Sequence, residues 1–537
     1  MGLSNVQFSW CLSAFFWAYA AGQVPSGWFS DRWGARLTLP LYILTWSLFT
    51  CMMGLVTGLF MLLAVRVAVG LGQAGAYPTS AGIVRRWAPF SRRGTMSSVV
   101  AFGGRLGVGL TPILTATLVV ALVPLSTSPQ LKPSDLMSPR SLSSQLLEAP
   151  TEMASERSQA EIQRAAIARE LAGFLSAASR AAVEELAANE VVSETPFEPP
   201  VQQLDELVRG LNDLLTQRDL GRELDLSDVA IEREAERLLA GESLTNAQRQ
   251  RLNRLVLEAV FPNSIKKLYV AGWRPTIMLF GVLGLIVALL FVVVHRNSPA
   301  EHPLCNAEEV RIIEAEHPPS RAPVRGVPLR WMLVSRSLWL ICLSQWCGNI
   351  AWAFLVTWLP RYLLEVHGMP FVQRGWLASL PLWMGWLGML AGGVATDFVT
   401  RRLGLRWRTL PIVIGRWGAM AGYVLCVVDP SIWSVSLALA GVGFLNDFCN
   451  PSSWAYKQDV GGSYVASIHG WANMWGNIGA AMSPLLIQFI VGDSNWNWAF
   501  ITCGAAYGVS GLAALGVDAR IPIVPEHAEV VPEHAEA

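Results

Sequence analysis

Charge is what this chain has least of: Asp, Glu, Lys and Arg make up 15% of its 537 residues, against 52% hydrophobic residues. A chain of this length would ordinarily divide into several soluble domains, but so little charge cannot coat them. With 23 Trp and a mean hydropathy of +0.38, the composition instead implies a polytopic membrane protein. Cysteine is equally uninformative as a framework: of eight, seven fall in apolar runs and Cys305 in a polar stretch, so no disulfide pattern emerges. A cleavable signal peptide is not expected, because the first apolar run is long and ends in a charged turn. No catalytic constellation is recognisable, which argues against an enzyme, and neither a cofactor nor a nucleic-acid partner is implied.

What is present is organised around Gly27-Trp28-Phe29-Ser30-Asp31-Arg32-Trp33-Gly34-Ala35-Arg36, between the apolar runs Phe8 to Val24 and Leu37 to Val56. A charged turn this short between two spanning segments is a hairpin on one membrane face. Gly27 permits close helix packing, and Asp31 and Arg32 can bond to helix ends or to each other. An echo follows in Gly393-Val394-Ala395-Thr396-Asp397 with Arg401 and Arg402, again at the end of an apolar helix. The spacing resembles the signature loop of the major facilitator superfamily, whose halves are duplicated.

Spans are expected at roughly 8–30, 37–57, 59–83, 95–122, 274–295, 337–360, 374–398, 409–428, 432–455, 464–490 and 498–517, eleven in all. Arg32, Arg36, Arg85, Arg86, Arg92, Arg93, Arg296 to Arg336, Arg401 to Arg408 and Lys457 then fall on one side. Those loops are expected to be cytoplasmic, with the N-terminus outside and the chain multi-pass in the inner (plasma) membrane. The resemblance implies twelve helices starting inside, so the first is expected to be missing, and Met1 to Gln7 looks like the loop leading into the second. An upstream start is one explanation, a truncated fragment another.

The expected domains are an N-terminal bundle at 1–123, an insert at 124–268, one further helix at 269–296, an inter-bundle loop at 297–336, a C-terminal bundle at 337–517 and a disordered tail at 518–537. The insert holds 23 acidic and 16 basic residues, while the remainder holds 17 and 24. It opens Ser/Pro-rich from Ser126 to Ser144, as a linker would. Helix-period stretches follow at Glu152 to Ala188, Gln203 to Thr216, Val229 to Leu239 and Ala247 to Val260, with Leu171, Phe174 and Leu175 forming an apolar face. A small acidic helical module on the outer side, open to a protein partner, is the expectation.

Charges within spans are costly and mark functional candidates: Arg66, Arg105, Arg416 and Asp447. Arg66 opens Arg66-Val-Ala-Val-Gly70-Leu-Gly-Gln73-Ala-Gly75-Ala-Tyr-Pro78, followed by Arg86-Trp87-Ala88-Pro89. Together with Phe15-Phe16-Trp17-Ala18-Tyr19, Thr357-Trp358-Leu359-Pro360, Asp459-Val460-Gly461-Gly462, Gly470 to Asn473 and Gly476-Asn477, this resembles the anion:cation symporter family. Hexuronate, galactonate, sialic acid and vesicular glutamate transporters belong to it. The resemblance implies an all-α carrier that takes up a small organic anion, a sugar acid, by alternating access. By the same resemblance, Tyr19, Arg66, Gln73, Arg105, Asn349, Trp454, Asn473 and Asn477 are substrate-site candidates. Gly27, Asp31, Arg32, Gly34, Arg36, Gly393, Asp397 and Arg401 form the gating motif. The family usually has a glutamate where Gln73 stands, and an amide cannot exchange a proton at neutral pH. Asp447 is then the candidate for coupling to a co-transported proton or Na+, with a salt bridge to Arg416 as its structural alternative. A monomer is expected. A receptor or scaffold presenting the insert is the competing reading from another class.

Overall fold

The computed structural model describes residues 5–123, 127–147, 159–188, 200–315 apart from 228, 230, 232 and 242, and 324–525 apart from 325, 368–370 and 492–494. The described residues are helical and contain no strand, only an isolated bridge between Leu136 and Ile265. In chain order the helices are α1 (Asn5–Trp33), α2 (Ala35–Met53), α3 (Leu59–Gln73), α4 (Ala76–Trp87) and α5 (Arg93–Ala121). Next come α6 (Pro139–Leu147), α7 (Gln159–Phe174), α8 (Ala177–Ala188), α9 (Val201–Gln217), α10 (Leu220–Glu223), α11 (Arg233–Leu239) and α12 (Asn246–Val260). The remainder are α13 (Trp273–Val294), α14 (Ala307–Glu314), α15 (Leu329–Val334), α16 (Arg336–Thr357), α17 (Leu359–Glu365) and α18 (Phe371–Leu403), then α19 (Leu410–Val428), α20 (Ile432–Phe448), α21 (Asn450–Val460), α22 (Val465–Val491) and α23 (Trp496–Leu515).

Among the described residues, seven helical segments are long and apolar enough to cross a membrane, including Leu59–Trp87 and Ile432–Val460, each made of two successive helices. The other expected spans are α1, α2, α5 and α22, helices of 29, 19, 29 and 27 residues. The chain is a multi-pass membrane protein. Its lipid-facing surface is plainest on α13, where Val282, Leu283, Ile286, Val287 and Leu290 are exposed with no polar residue among them.

Helices of the same half meet through small residues, which bring backbones close where lipid offers no hydrophobic drive. A Cβ on Gly388 or Gly392 of α18 would strike the Phe444 or Phe448 carbonyl of α20, and one on Gly443 would strike Pro381. The halves meet in the same way along α1 and α22: Gly27 lies against the Ala466–Ser467 backbone and Gly470 against Gln23. Two tight turns depend on glycine for another reason. Gly34 and Gly404, which follow α1 and α18, have φ of 79° and 86°, a region L-residues avoid.

By contact the chain divides into two compact units, 1–114 with 277–537, and 115–276. The second is larger than the expected insert because Gly272 packs on the Val119 backbone, which draws in the end of α5 and the start of α13. Its core is built from leucines, including Leu142, Leu171, Leu186, Leu207, Leu211 and Leu257. On α9, Leu207, Leu211 and Leu214 recur at helical spacing and are all buried. The beginning and end of the module are joined: Met137 N donates to Ser264 O at 2.9 Å and Lys266 N to Asp135 O at 2.8 Å. Within it, Arg254 and Glu258 form a buried pair at 2.6 Å, and burial holds the Glu258 carboxyl above its ordinary range despite the arginine.

Two expectations are corrected. The Ser/Pro-rich start is not a linker: from residue 127 it carries a 3₁₀ turn and α6, and it buries Leu131, Leu136, Leu142 and Leu146 in the module's core. The tail is not disordered from 518. Ile523 donates its N–H to Val460 O at 3.0 Å, and Ile523 and Val524 are buried. Residues 526–537 lie outside the described residues, as does the expected helical stretch before Gln159.

Candidate functional site: a closed end and a charged cavity

At the end of the bundles that carries the basic loops, each signature aspartate caps a helix of the opposite half. Asp31 accepts Ala466 N at 2.9 Å, Ser467 N at 2.7 Å and Ser467 Oγ at 2.6 Å, at the start of α22. Asp397 accepts Gly94 N at 2.8 Å, Thr95 N at 2.7 Å and Thr95 Oγ1 at 2.6 Å, at the start of α5. A helix N-terminus leaves N–H groups unpaired and carries partial positive charge, so a carboxylate there gains both hydrogen bonds and a favourable dipole. The two contacts are reciprocal and clamp the halves together at this end. Gly393 gives room by lying against Ser98 and the Gly94 carbonyl, as Gly27 does for α22. The motif's arginines have other contacts. Arg32 sits over Trp28, and Arg401 donates back to the Asp397 carbonyl at 3.3 Å. Arg36 offers its backbone N–H to Asn297 at 2.9 Å, while Gly34 packs on that same side chain.

Beside Asp397 is a buried charge network that sequence reasoning missed. Asp459 receives Arg93 at 2.8 Å and Arg408 at 2.7 Å, and Arg408 reaches Asp397 at 3.7 Å. Arg93 and Arg408 are 2% and 0% exposed. In the sequence both read only as charges of the basic loops, as does Lys457, which is also fully buried in α21. The only signal is Asp459 itself, an acid at the head of the Asp459-Val460-Gly461-Gly462 motif.

Deeper in the bundle lies a cavity of about 890 Å³ walled by Trp352, Trp383, Trp386 and other apolar side chains. Arg105 and Asp447 line it as an ion pair of 2.8 Å that spans the two halves, α5 to α20. Arg105 stands eleven residues beyond Gly94, roughly 17 Å along α5, which is near the middle of a ~30 Å hydrocarbon core. Its side chain is 24% exposed and its guanidinium lies 4.9 Å from the Trp352 ring centre. Asp447 Oδ1 also accepts from Asn446 Nδ2 at 2.9 Å and Asn450 Nδ2 at 3.1 Å. Oδ2 lies against Gly385 of α18, where a Cβ would come within 2.7 Å of it. The alternative Asp447–Arg416 bridge does not form: Arg416 donates to Asn446 Oδ1 at 2.6 Å, which Tyr507 also contacts at 3.0 Å. Residues 446 and 447 are about a hundred degrees apart on the helix, so each serves a different arginine.

The other candidates do not line this cavity. Tyr19 faces Gln23 and Asn473, and Asn473 Nδ2 donates to Gln23 Oε1 at 3.1 Å along the α1–α22 seam. Asn477 donates to the Asn473 carbonyl at 2.8 Å, and Gly476 makes room for the Asn349 amide. Trp454 is buried edge-on to Tyr77 and His469. Arg66 is placed apart from Arg105: its Nε donates to the Cys11 carbonyl at 3.0 Å and it covers Phe15. Gln73 is exposed at the end of α3. Gln23, Trp352 and Asn446 are additional polar or aromatic members that in-span charge alone does not single out.

Comparison with known proteins agrees with this architecture. A probable sulfoacetate transporter of Cupriavidus necator is 20% identical over 97% of this chain and 87% of its own length. A probable galactarate/D-glucarate transporter of Escherichia coli K12 is 23% identical over 94% of this chain and 83% of its own. Among solved structures, the transporter FucP in its outward conformation superposes with a TM-score of 0.54 at 12% identity, covering 96% of this chain and 90% of that one. The family profile described as Major Facilitator Superfamily matches residues 1–125 and 267–484, leaving out the helical insert. With its paired halves and reciprocal aspartate clamps, the chain belongs to the major facilitator superfamily.

Proposed function

We propose that this protein is a secondary carrier of a small organic anion, of the sugar-acid class, working by alternating access. The observation that carries the reading is Arg105 in the cavity, paired with a carboxylate of the other half yet still partly exposed. A guanidinium binds a carboxylate bidentately and, in a water-poor site, strongly. The relatives named for galactarate, glucarate and galactonate support the substrate class. The closed basic-loop end and the open cavity support an arrangement that admits substrate from the opposite side, with the basic loops cytoplasmic.

Asp447 is the coupling group in this reading. Its Oδ1 is held by three donors, while no donor among the described residues is directed at Oδ2, the oxygen a proton would take. The charged and titratable groups around it are Arg105 from α5, Arg416 from α19 acting through Asn446, Tyr507 from α23 and the neighbouring Cys449. Protonation turns the carboxylate into a neutral acid, and Arg105 then turns to the substrate's carboxylate. Return of that proton to water on the other side re-forms the pair and expels the anion. Gln73 has no part in this, since an amide does not titrate.

The test is uptake of labelled galactarate, glucarate, galactonate and hexuronates into proteoliposomes under an imposed pH gradient. Wild type accumulates at least one of them, Arg105→Ala does not, and Asp447→Asn loses the response to the gradient. Absence of uptake across the panel, or full uptake by Arg105→Ala, contradicts the reading. The insert has a core of its own, and in this reading it is an accessory module that transport survives without. Deleting 127–267 while keeping uptake supports that. Loss of a binding protein with uptake intact favours the scaffold role for this segment.

A further inference from the structure

The tryptophans of the charged cavity have no task in the transport reading, which asks only for a cation. Trp352 lies at the cation itself, its ring centre 4.9 Å from the Arg105 guanidinium carbon. Trp386 comes from α18, directly after Gly385, the residue that lies against Asp447 Oδ2. Its indole covers Gly109 of α5, where a Cβ would strike the ring. Gly109 stands one helical turn beyond Arg105 on the same face of α5. Trp383, one turn earlier in α18, has its ring centre 4.8 Å from that of Trp386. Three indoles therefore line the space around a single ion pair.

The remaining polar side chains of the lining are already engaged. Arg361 donates to Glu365 at 2.5 Å and to Gln488 at 3.2 Å, and Ser379 Oγ donates to the Gly375 carbonyl at 2.8 Å. A polyhydroxylated body needs an acceptor for each O–H that it brings out of water. Among the lining side chains only Asp447 and Ser379 offer one, because an indole N–H donates and cannot accept. An aromatic body needs none, and it gains by stacking on indole faces. The volume of about 890 Å³ is near the upper end of the ~300–1,000 Å³ usual for sites of drug-sized ligands, so a fused two-ring body fits.

We propose that this cavity also binds aromatic carboxylates, the carboxylate on Arg105 and the ring against Trp383 and Trp386, in competition with the sugar acid. This rests on Arg105 being the anion's partner, as in the transport reading, and is independent of the sugar-acid class. Displacing Asp447 from Arg105 costs every anion the same, and ring stacking adds affinity that a hydrophilic anion lacks.

Purified full-length wild type, Arg105→Ala, Trp383→Leu and Trp386→Leu are titrated calorimetrically in detergent at about pH 7. The probes are 2-naphthoate, its saturated counterpart decahydro-2-naphthoate, and glucuronate. The saturated acid has the same charge and is more apolar, so burial of apolar surface alone would favour it, whereas stacking favours 2-naphthoate. Wild type is expected to bind 2-naphthoate saturably, about tenfold tighter than glucuronate and about threefold or more tighter than the saturated acid. Arg105→Ala binds none of them, and any heat that it retains measures partition into the micelle. Trp383→Leu and Trp386→Leu each abolish the preference for 2-naphthoate over its saturated counterpart. Should Trp386→Leu fail to fold, Trp383→Leu, at an exposed side chain, decides alone. Glucuronate bound through Arg105 with no 2-naphthoate bound overturns the proposal and leaves the transport reading intact. 2-Naphthoate bound through Arg105 with no glucuronate bound supports the proposal and counts against the sugar-acid class. Equal binding of 2-naphthoate by Arg105→Ala, or an unchanged preference in the tryptophan variants, overturns the proposal; no binding of either acid by wild type overturns both readings.

Discussion

Replacing Asp31 by Asn tests the clamp at its most exposed mechanical assumption, that three hydrogen bonds to a helix start hold the end closed. Two of the three donors, Ser467 N and Oγ, fall on Oδ2 and one, Ala466 N, on Oδ1. An asparagine carbonyl placed at Oδ2 keeps the first two as neutral bonds. It turns an NH₂ toward Ala466 N, which cannot accept. One charge-assisted bond is lost outright, worth about 1.5–3 kcal/mol, and the helix-dipole attraction of about 0.3–1 kcal/mol goes with it. In the open state the aspartate and its asparagine replacement are both hydrated, so nearly all of this difference falls on the closed state. A bias of about 2–4 kcal/mol toward opening corresponds to roughly 30- to 700-fold in the equilibrium. Asp397 has the same geometry toward Gly94 and Thr95, so Asp397→Asn should open the end to a similar degree. The assay is maleimide labelling of Ser97→Cys in a Cys305→Ser background, with rates compared across the variants. Labelling within about threefold of the unmutated background for both aspartate variants would show that the clamps only position the helices.

Removing the carboxylate that Arg93 and Arg408 share is expected to cost more. Asp459→Asn takes away the carboxylate that lies between two buried guanidinium groups, and it should lower stability by about 3–5 kcal/mol, read as a fall in detergent melting temperature; a change below about 1 kcal/mol would contradict the buried network. In the insert, Leu211→Ala should cost about 2–5 kcal/mol, seen as earlier proteolysis of 127–267 with the membrane unit still intact; unchanged proteolysis would mean that the leucine core is not what holds the module.

Much of the membrane fold was legible because each span repeats one simple requirement, a run of about twenty apolar residues. The clamps were half legible. Gly27, Asp31, Gly393 and Asp397 stand out by spacing, but the N–H groups they serve are 435 and about 300 residues away and have no sequence signal. The partners of Arg93 and Arg408 were not legible, because a short loop's arginine reads the same whether it faces water or a buried carboxylate. Arg416 was only the structural alternative for Asp447; a step of one residue turns the helix face, and Asn446 takes it instead. The start of the insert misled for another reason: Leu131, Leu136, Leu142 and Leu146 lie in turns and a short helix, so their spacing follows no single period. The pairing of Arg105 with Asp447, 342 residues apart, needed the packed halves to be seen.

The central claim is that Asp447 and the transported anion compete for Arg105, and equilibrium binding tests it without requiring transport. The measurement is calorimetric titration of detergent-purified wild type, Asp447→Asn and Arg105→Ala at about pH 7 with the sugar acid that uptake selects. Asparagine at 447 keeps the shape and removes the resident charge, so the account predicts tighter binding by Asp447→Asn, at least about tenfold, and no detectable binding by Arg105→Ala. Weaker or unchanged affinity in Asp447→Asn would mean that the pair is structural and that the anion binds elsewhere.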